Sequence, residues 1–120
     1  MHYNLRVGRF GEEVARRYLS GKGYRIIENN LKLSYKEIDI IALQGDILVF
    51  IEVKTRTSGG LGGAVMAIEG RKISRMKKAA GHYLRAYKGR KFDKVRLDFL
   101  SLDVNKETKT VKIKHFCDIV

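Results

Sequence analysis

The residues whose types and spacing could do chemistry lie between Tyr35 and Arg56, in YKEIDIIALQGDILVFIEVKTR. Two short apolar runs rich in β-branched residues, Ile38–Leu43 and Ile47–Val53, flank Gln44-Gly45-Asp46, the pattern of a β-hairpin. Gly at the first central position of a two-residue turn makes that turn type II′. With Gly45 and Asp46 as the turn, Gln44 faces Ile47, Asp39 faces Glu52 and Glu37 faces Lys54. Alternation along each strand then projects Glu37, Asp39, Glu52 and Lys54 from one face. Directly opposed residues have Cβ atoms about 5 Å apart, so the two carboxylates Asp39 and Glu52 can share one divalent cation beside an ammonium. A turn one residue longer would shift the register and undo the arrangement.

The other face of the hairpin carries Ile38, Ile40, Ala42, Ile47, Val49, Ile51 and Val53, all apolar. Ile41, Leu43, Leu48 and Phe50 make much of the charged face apolar as well, which predicts a sheet covered on both sides. Like charges directly across a strand pair are destabilising. Asp39 and Glu52 beside a buried layer therefore need a cation, a proton or a cationic neighbour. The same residues also fit a Glu37–Lys54 ion pair at a solvated sheet end, with Glu52 reaching water. Spacing alone leaves the two readings even.

Ile38-Asp39 followed by Glu52-Val53-Lys54 resembles the D…ExK core of the restriction-endonuclease-like nuclease superfamily. Around it stand, in order, the GxxGE of Gly8–Glu12, Ala15, Tyr18-Leu19, Gly23-Tyr24, EIDIIA, VFIEVKTR, Lys72, Ala80–Leu84 and Arg96-Leu97-Asp98. This ordered set covers nearly the whole chain and is similar to the YraN-type family, itself related to archaeal Holliday-junction resolvases. The resemblance implies a three-layer α/β/α nuclease fold and metal-dependent hydrolysis of DNA. On that reading Asp39 and Glu52 hold Mg²⁺, or Mn²⁺ in its place, with the Val53 carbonyl as a further oxygen ligand. Lys54 positions water or stabilises the transition state, and Glu12 and Glu37 complete the acidic set. Branched DNA and a homodimer cutting two strands are implied by the same likeness.

Bulk properties bound the partners. A chain of 120 residues makes one small domain. Lys and Arg number 25 against 13 acidic residues, a formal charge of +12, which points to a polyanion. Nucleic acid ranks above a membrane surface, because an acidic cluster in the hairpin has no use in lipid binding. A basic ribosome-associated protein without activity has the same composition. No apolar run is long enough to span a bilayer, and MHYNLRVGRF lacks the apolar core of a signal peptide. The lone Cys117 excludes an internal disulfide, fits the cytoplasm, and reads as a small apolar residue near the last strand.

The elements that must position the site follow from periodicity. Asn4 is a helix N-cap, and the helix runs to about Ser20 before Gly21 and Gly23 stop it. Its buried stripe is Val7, Gly11, Val14, Ala15 and Tyr18, with Glu12 on the rim. There Glu12 either reaches over the hairpin as a further acid of the site or snorkels to water. Tyr24–Leu31 is a strand, and the hairpin follows. TSGGLGGA after Arg56 is either a phosphate-contacting segment, with Thr55, Arg56, Thr57 and Ser58, or a plain connection. Arg71 to about Lys88 is a second helix with the apolar stripe Ile73, Met76, Ala80, Tyr83, Leu84 and Tyr87. Arg71, Arg75, Lys78, His82 and Arg85 form a basic ridge opposite, suited to phosphates or simply solvated. Lys72 sits at the rim, and His82 has no metal partner in view. Gly89-Arg90-Lys91 is a basic turn, Val95–Val104 a strand with Arg96 and Asp98 on one face, Asn105–Thr108 a turn, and Val111–Cys117 closes an antiparallel pair.

The order αβββαββ defines an α+β fold, a mixed sheet flanked by helices. The function expected is a Mg²⁺-dependent DNA endonuclease with Arg56, Thr55, Lys72, Arg75, Lys78 and Arg85 as nucleic-acid contacts. The alternative is a non-catalytic nucleic-acid-binding or scaffold protein that keeps the fold.

Overall fold

A computed structural model describes residues 2–33, 36–57, 70–89 and 91–119. The glycine-rich segment Gly59–Gly63, with Ser58, and the turn residue Arg90 lie outside the described residues. Helix α1 (His2–Gly21), strands β1 (Arg25–Leu33), β2 (Lys36–Gln44) and β3 (Ile47–Thr57), helix α2 (Gly70–Arg85), and strands β4 (Lys94–Asn105) and β5 (Thr110–Phe116) follow in that order. This is the predicted αβββαββ. The sheet order is β1-β2-β3-β4-β5, antiparallel throughout except for the parallel pair β3–β4. Parallel neighbours need a long crossover, and α2 lies within it.

The helices cover opposite faces, which makes three layers. Ala15 and Leu19 of α1 pack on Ile40, Ala42, Val49, Ile51, Leu100 and Leu102. Ala79 and Ala80 of α2 pack on Ile38, Ile41, Leu43, Leu48, Phe50 and Leu97. The sheet is apolar on both sides, as the double pattern of the hairpin requires.

Helix α1 starts at His2, so Asn4 lies in its first turn and is not the cap. At its other end Gly23 takes φ +91°. Tyr24 N–H donates to the Leu19 carbonyl at 2.9 Å and Gly23 N–H to that of Ser20 at 3.0 Å. These are the paired bonds of a Schellman stop, and the burial of Leu19 and Tyr24 in one cluster supplies its apolar contact. Gly11 lets α1 approach β3, because a Cβ there would overlap the Thr55 side chain. Helix α2 ends at Arg85, one turn short of the predicted Lys88.

The hairpin has the predicted register, from Gln44↔Ile47 to Ile40↔Ile51. Gly45 has φ +60°, whereas the described non-glycine residues with positive φ are Asn30, Lys109 and Asp118; Asp46 is not one of them, and the turn is type II′. One expectation needs correction. Ile38 packs on the α2 side while Ile40 packs on the α1 side, so strict alternation fails between them. The β1–β2 register passes from Asn29↔Ile40 to Leu31↔Ile38, and between them Asn30 adopts φ +50°. A left-handed residue in the partner strand breaks the pleat where Asp39 sits. Cys117 lies just past β5, near the last strand as expected, but it is exposed.

Candidate active site

Regular pairing of β2 and β3 ends at Ile40↔Ile51. Beyond it a side chain replaces the main chain, for Oδ2 of Asp39 accepts the Val53 N–H at 2.8 Å. A residue's N–H and C=O leave a strand on the same side, so the Val53 carbonyl is directed toward Asp39 as well. Glu52 shares a face with Leu48 and Phe50 by alternation, the face that α2 covers. From α2, Lys72 Nζ reaches Glu52 Oε2 at 2.8 Å.

These groups line a cleft of about 450 Å³ formed by Glu37, Asp39, Glu52, Lys72, Arg75, Met76 and Lys78. Burial pushes the Asp39 carboxyl up to about 7, helped by the charges of Glu52, Glu12 and Glu37 and opposed by the Val53 N–H bond. Glu12 of α1 is thus close enough to act on Asp39 electrostatically from the other side of the sheet. The donors are carboxylates and a carbonyl, the hard oxygen set that fits Mg²⁺ or Mn²⁺. A buried carboxyl that resists ionisation among like charges is also what a divalent cation relieves.

The structure therefore brings together Asp39, Glu52, Glu37, Lys72, Arg75 and Lys78, with Glu12 within electrostatic reach. Other candidates fall outside the cleft lining. Lys54 is exposed two residues beyond Glu52, and no Glu37–Lys54 ion pair forms among the described residues. Arg56 is exposed further along β3, and Arg85 is exposed on the last turn of α2. Thr55 packs against Gly11 of α1, on the side away from the cleft. There it lets α1 approach the sheet closely. Met76 joins the cleft lining although its spacing identified it only as core.

Sequence reasoning missed a second polar cluster, on the α1 side of β4. Asp98 is fully buried. It accepts Arg96 Nε on Oδ1 at 2.8 Å, Arg96 Nη2 on Oδ2 at 2.9 Å, and the Asp118 N–H on Oδ1 at 2.9 Å. His115 Nε2 lies 2.7 Å from Asp98 Oδ2, and the Tyr18 hydroxyl lies 3.2 Å from His115 Nδ1. Arg96 also donates to the Tyr24 hydroxyl at 2.7 Å. Asp98, His115 and Cys117 offer ligand atoms within 4.8 Å of one another, a metal-like spacing. However, both Asp98 oxygens are already engaged and a guanidinium lies against them, so the cluster is an anchor tying β4, β5 and the end of α1 together. Alternation placed Arg96 and Asp98 on one face, but the approach of His115 depends on the β4–β5 register, which no local signal encodes.

A mixed sheet sandwiched by helices, with paired acids at the point where β2 and β3 diverge, defines a restriction-endonuclease-like domain. The family model described as "Uncharacterised protein family UPF0102" matches residues 11–102, and the chain belongs to that family. It is 40% identical over 99 residues to a UPF0102 protein of Dictyoglomus turgidum, covering 82% of this chain and 83% of that one. It is 39% identical over 110 residues to one from Pelotomaculum thermopropionicum, covering 92% and 91%. A UPF0102 protein of Syntrophomonas wolfei is 41% identical over 112 residues, covering 93% and 95%. Among the described residues no helix is long and apolar enough to cross a membrane.

Proposed function

We propose that the chain is a divalent-metal-dependent endonuclease that hydrolyses phosphodiester bonds of DNA. The observation that carries this reading is the convergence of Asp39, Glu52 and Glu37 in one cleft rimmed by Lys72, Arg75 and Lys78. Acids that can hold a cation and bases that can hold a phosphate share a single concavity. Asp39 and Glu52, with the Val53 carbonyl, would hold Mg²⁺ or Mn²⁺. When bound, the metal lowers the pKa of water and neutralises charge growing on the phosphate.

The chain's own groups do the rest. The Val53 N–H fixes the Asp39 rotamer, so one acid is oriented before substrate arrives. Arg75 and Lys78 hold the phosphate backbone against the cleft. Lys54 positions the attacking water or stabilises the pentavalent transition state from the rim. Arg56 and Arg85 extend the electrostatic footprint along β3 and α2. The likeness to junction resolvases supports branched DNA as the substrate and a two-fold dimer as the acting species.

The test is cleavage of a panel of branched and linear DNAs with Mg²⁺ and with Mn²⁺. Wild type should cut, Asp39→Asn and Glu52→Ala should not, and Lys54→Ala should keep metal binding while losing turnover. Retained Mg²⁺-dependent cleavage by Glu52→Ala would overturn the assignment. If about five basic side chains each neutralise one phosphate, the log–log salt slope on duplex DNA is near −4 to −5.

The Lys72–Glu52 ion pair favours a second reading, since an internal ammonium already offsets one of the acids. On that reading the protein is a nucleic-acid-binding scaffold with the same fold. Titration with Mg²⁺ separates the two: a scaffold neutralised by Lys72 shows no saturable binding dependent on Asp39.

A further inference from the structure

A second and larger concavity of about 770 Å³ lies between the edge strand β1 and the C-terminal half of α2. Its floor is apolar, and Tyr83 and Tyr87 line it together with Arg25, Lys88, His82 and Glu28. The two tyrosine rings lie 5.8 Å apart between centroids at 47°. Tyr83 is set edge-on against Phe50 at 5.7 Å, and Tyr87 against Phe92 at 5.3 Å. Both rings are thus held from behind while they line the groove.

Residues of α2 line both concavities, the cleft from its first half and the groove from its last turn and the residues just after it. Lys72, Arg75, Met76 and Lys78 line the acidic end, and His82, Tyr83 and Tyr87 line the far end. Lys78 and His82 are one turn apart, and Lys72 to Tyr83 spans about 16 Å along the axis. Basic residues therefore lead from the acids toward an aromatic, mostly apolar trough with cations on its rim.

We propose that this groove receives unpaired nucleotides of the substrate strand, so that the preferred DNA carries a single-stranded branch beside the cut. The inference rests on the nuclease reading of the cleft and names its substrate more narrowly. Aromatic faces bind bases only when those bases are unstacked, whereas cations bind phosphates of either form. A blunt duplex offers phosphates to Lys72, Arg75 and Lys78 but no base to Tyr83 or Tyr87. Arg25 and Lys88 on the rim suit the backbone of such a strand, and the Glu28 carboxylate can accept from base amino and imino groups. The chain's charge of +12 favours a polyanion over a peptide as the occupant.

The experiment is fluorescence anisotropy in EDTA with a blunt duplex and the same duplex bearing a tail of about ten nucleotides, within the site sizes of single-strand binders. The tailed DNA should bind at least about tenfold tighter, as one well-stacked base suffices for that ratio. Arg25→Gln/Lys88→Gln changes only exposed rim residues, and it should abolish the tail preference while leaving blunt-duplex affinity within about threefold. A 5-iodouracil in the tail should photocrosslink to Tyr83 or Tyr87. Equal affinities for the two DNAs, or a preference that survives the rim substitutions, overturn the proposal. So does a change of oligomeric state in the variant without any tail preference, because the groove is then a protein interface. Cleavage without tail preference removes the groove assignment alone, and tail preference without cleavage under any divalent ion removes the nuclease reading alone.

Discussion

Asp39 Oδ2 accepts the backbone N–H of Val53 at 2.8 Å immediately beyond Ile40↔Ile51, the last regular pair of the hairpin. One side chain thereby takes over from the ladder, and the strands diverge without stranding that buried donor. The same bond holds the carboxylate among Glu52, Glu12 and Glu37, where burial and their charges lift its pKa to about 7. A raised carboxyl pKa means that Asp39 contributes stability below the unfolded value near 4. That contribution is lost as pH rises through about 7.

Asp39→Asn should therefore stabilise the metal-free protein while abolishing activity. The amide keeps an oxygen for the Val53 N–H and removes the buried charge. At pH 8 the gain should be about 1–3 kcal/mol, a rise of several degrees in Tm. At pH 3, below the unfolded pKa near 4, Asp39 is protonated in both states and the gain should vanish. Thermal melts in EDTA at the two pH values test this, and an unchanged or lower Tm at pH 8 would show that like-charge burial is not what shifts Asp39.

Divalent binding should be coupled to proton release. Because Asp39 must ionise to act as a ligand, the apparent Mg²⁺ affinity should fall up to about tenfold per pH unit below 7 and level off above it. Calorimetric titration between pH 5.5 and 8.5 would read the slope. A flat profile would remove Asp39 from the ligand set.

Lys72 should compete with the metal for Glu52. Their 2.8 Å pair is largely sheltered, with side-chain exposures of 26% and 19%. Lys72→Met should tighten Mg²⁺ binding several-fold while weakening duplex binding, since one ammonium no longer neutralises Glu52 or a phosphate. In EDTA the loss of the pair should lower stability by about 1–3 kcal/mol, between the cost of an exposed pair and that of a buried one. Weaker Mg²⁺ binding by the variant would show instead that Lys72 organises the acids.

Much of this site was legible in the sequence because its key constraint is local. The pair Gly45-Asp46 sets a two-residue turn, and counting outward reaches Asp39 and Glu52 without reference to the rest of the fold. The count fails at Ile38 because Asn30, on another strand, takes a left-handed conformation, and a period-two pattern carries no such information. The packing of Thr55 was illegible for a related reason: it is set by the bare Cα of Gly11 on a helix 44 positions earlier. Lys72 and Tyr83 read as rim and core of one helix, but their roles depend on which strands that helix crosses.

The Gly11–Thr55 contact predicts a sharp steric result. Gly11→Ala places a methyl on the Thr55 side chain, so α1 must lift from β3 or the threonine must rotate away. Overpacking of this kind costs about 1–3 kcal/mol. Thr55→Gly in the same chain should recover much of that loss, and a double-mutant cycle should show coupling above about 0.5 kcal/mol. Additive effects would mean that the helix meets the sheet elsewhere.

The Asp98 anchor should govern acid stability in the sense opposite to Asp39. Burial raises its pKa, but the bonds from His115, Arg96 and the Asp118 N–H outweigh burial and hold it below the ordinary carboxylate value. Its stabilising contribution is therefore complete above the unfolded pKa near 4 and is lost as pH falls through the lower folded value. Asp98→Ala removes the acceptor that Arg96 and His115 share, leaves the guanidinium its bond to the Tyr24 hydroxyl but no carboxylate partner among the described residues, and should cost about 3–5 kcal/mol. His115→Ala should cost less and move the acid-unfolding midpoint upward, because one of the bonds that depress Asp98 is gone. Neither change touches the cleft on the other face of the sheet, so Mg²⁺ affinity measured below the melting range should stay within about twofold of wild type. A large loss of Mg²⁺ affinity in folded His115→Ala protein would show that the two faces of the sheet are energetically linked.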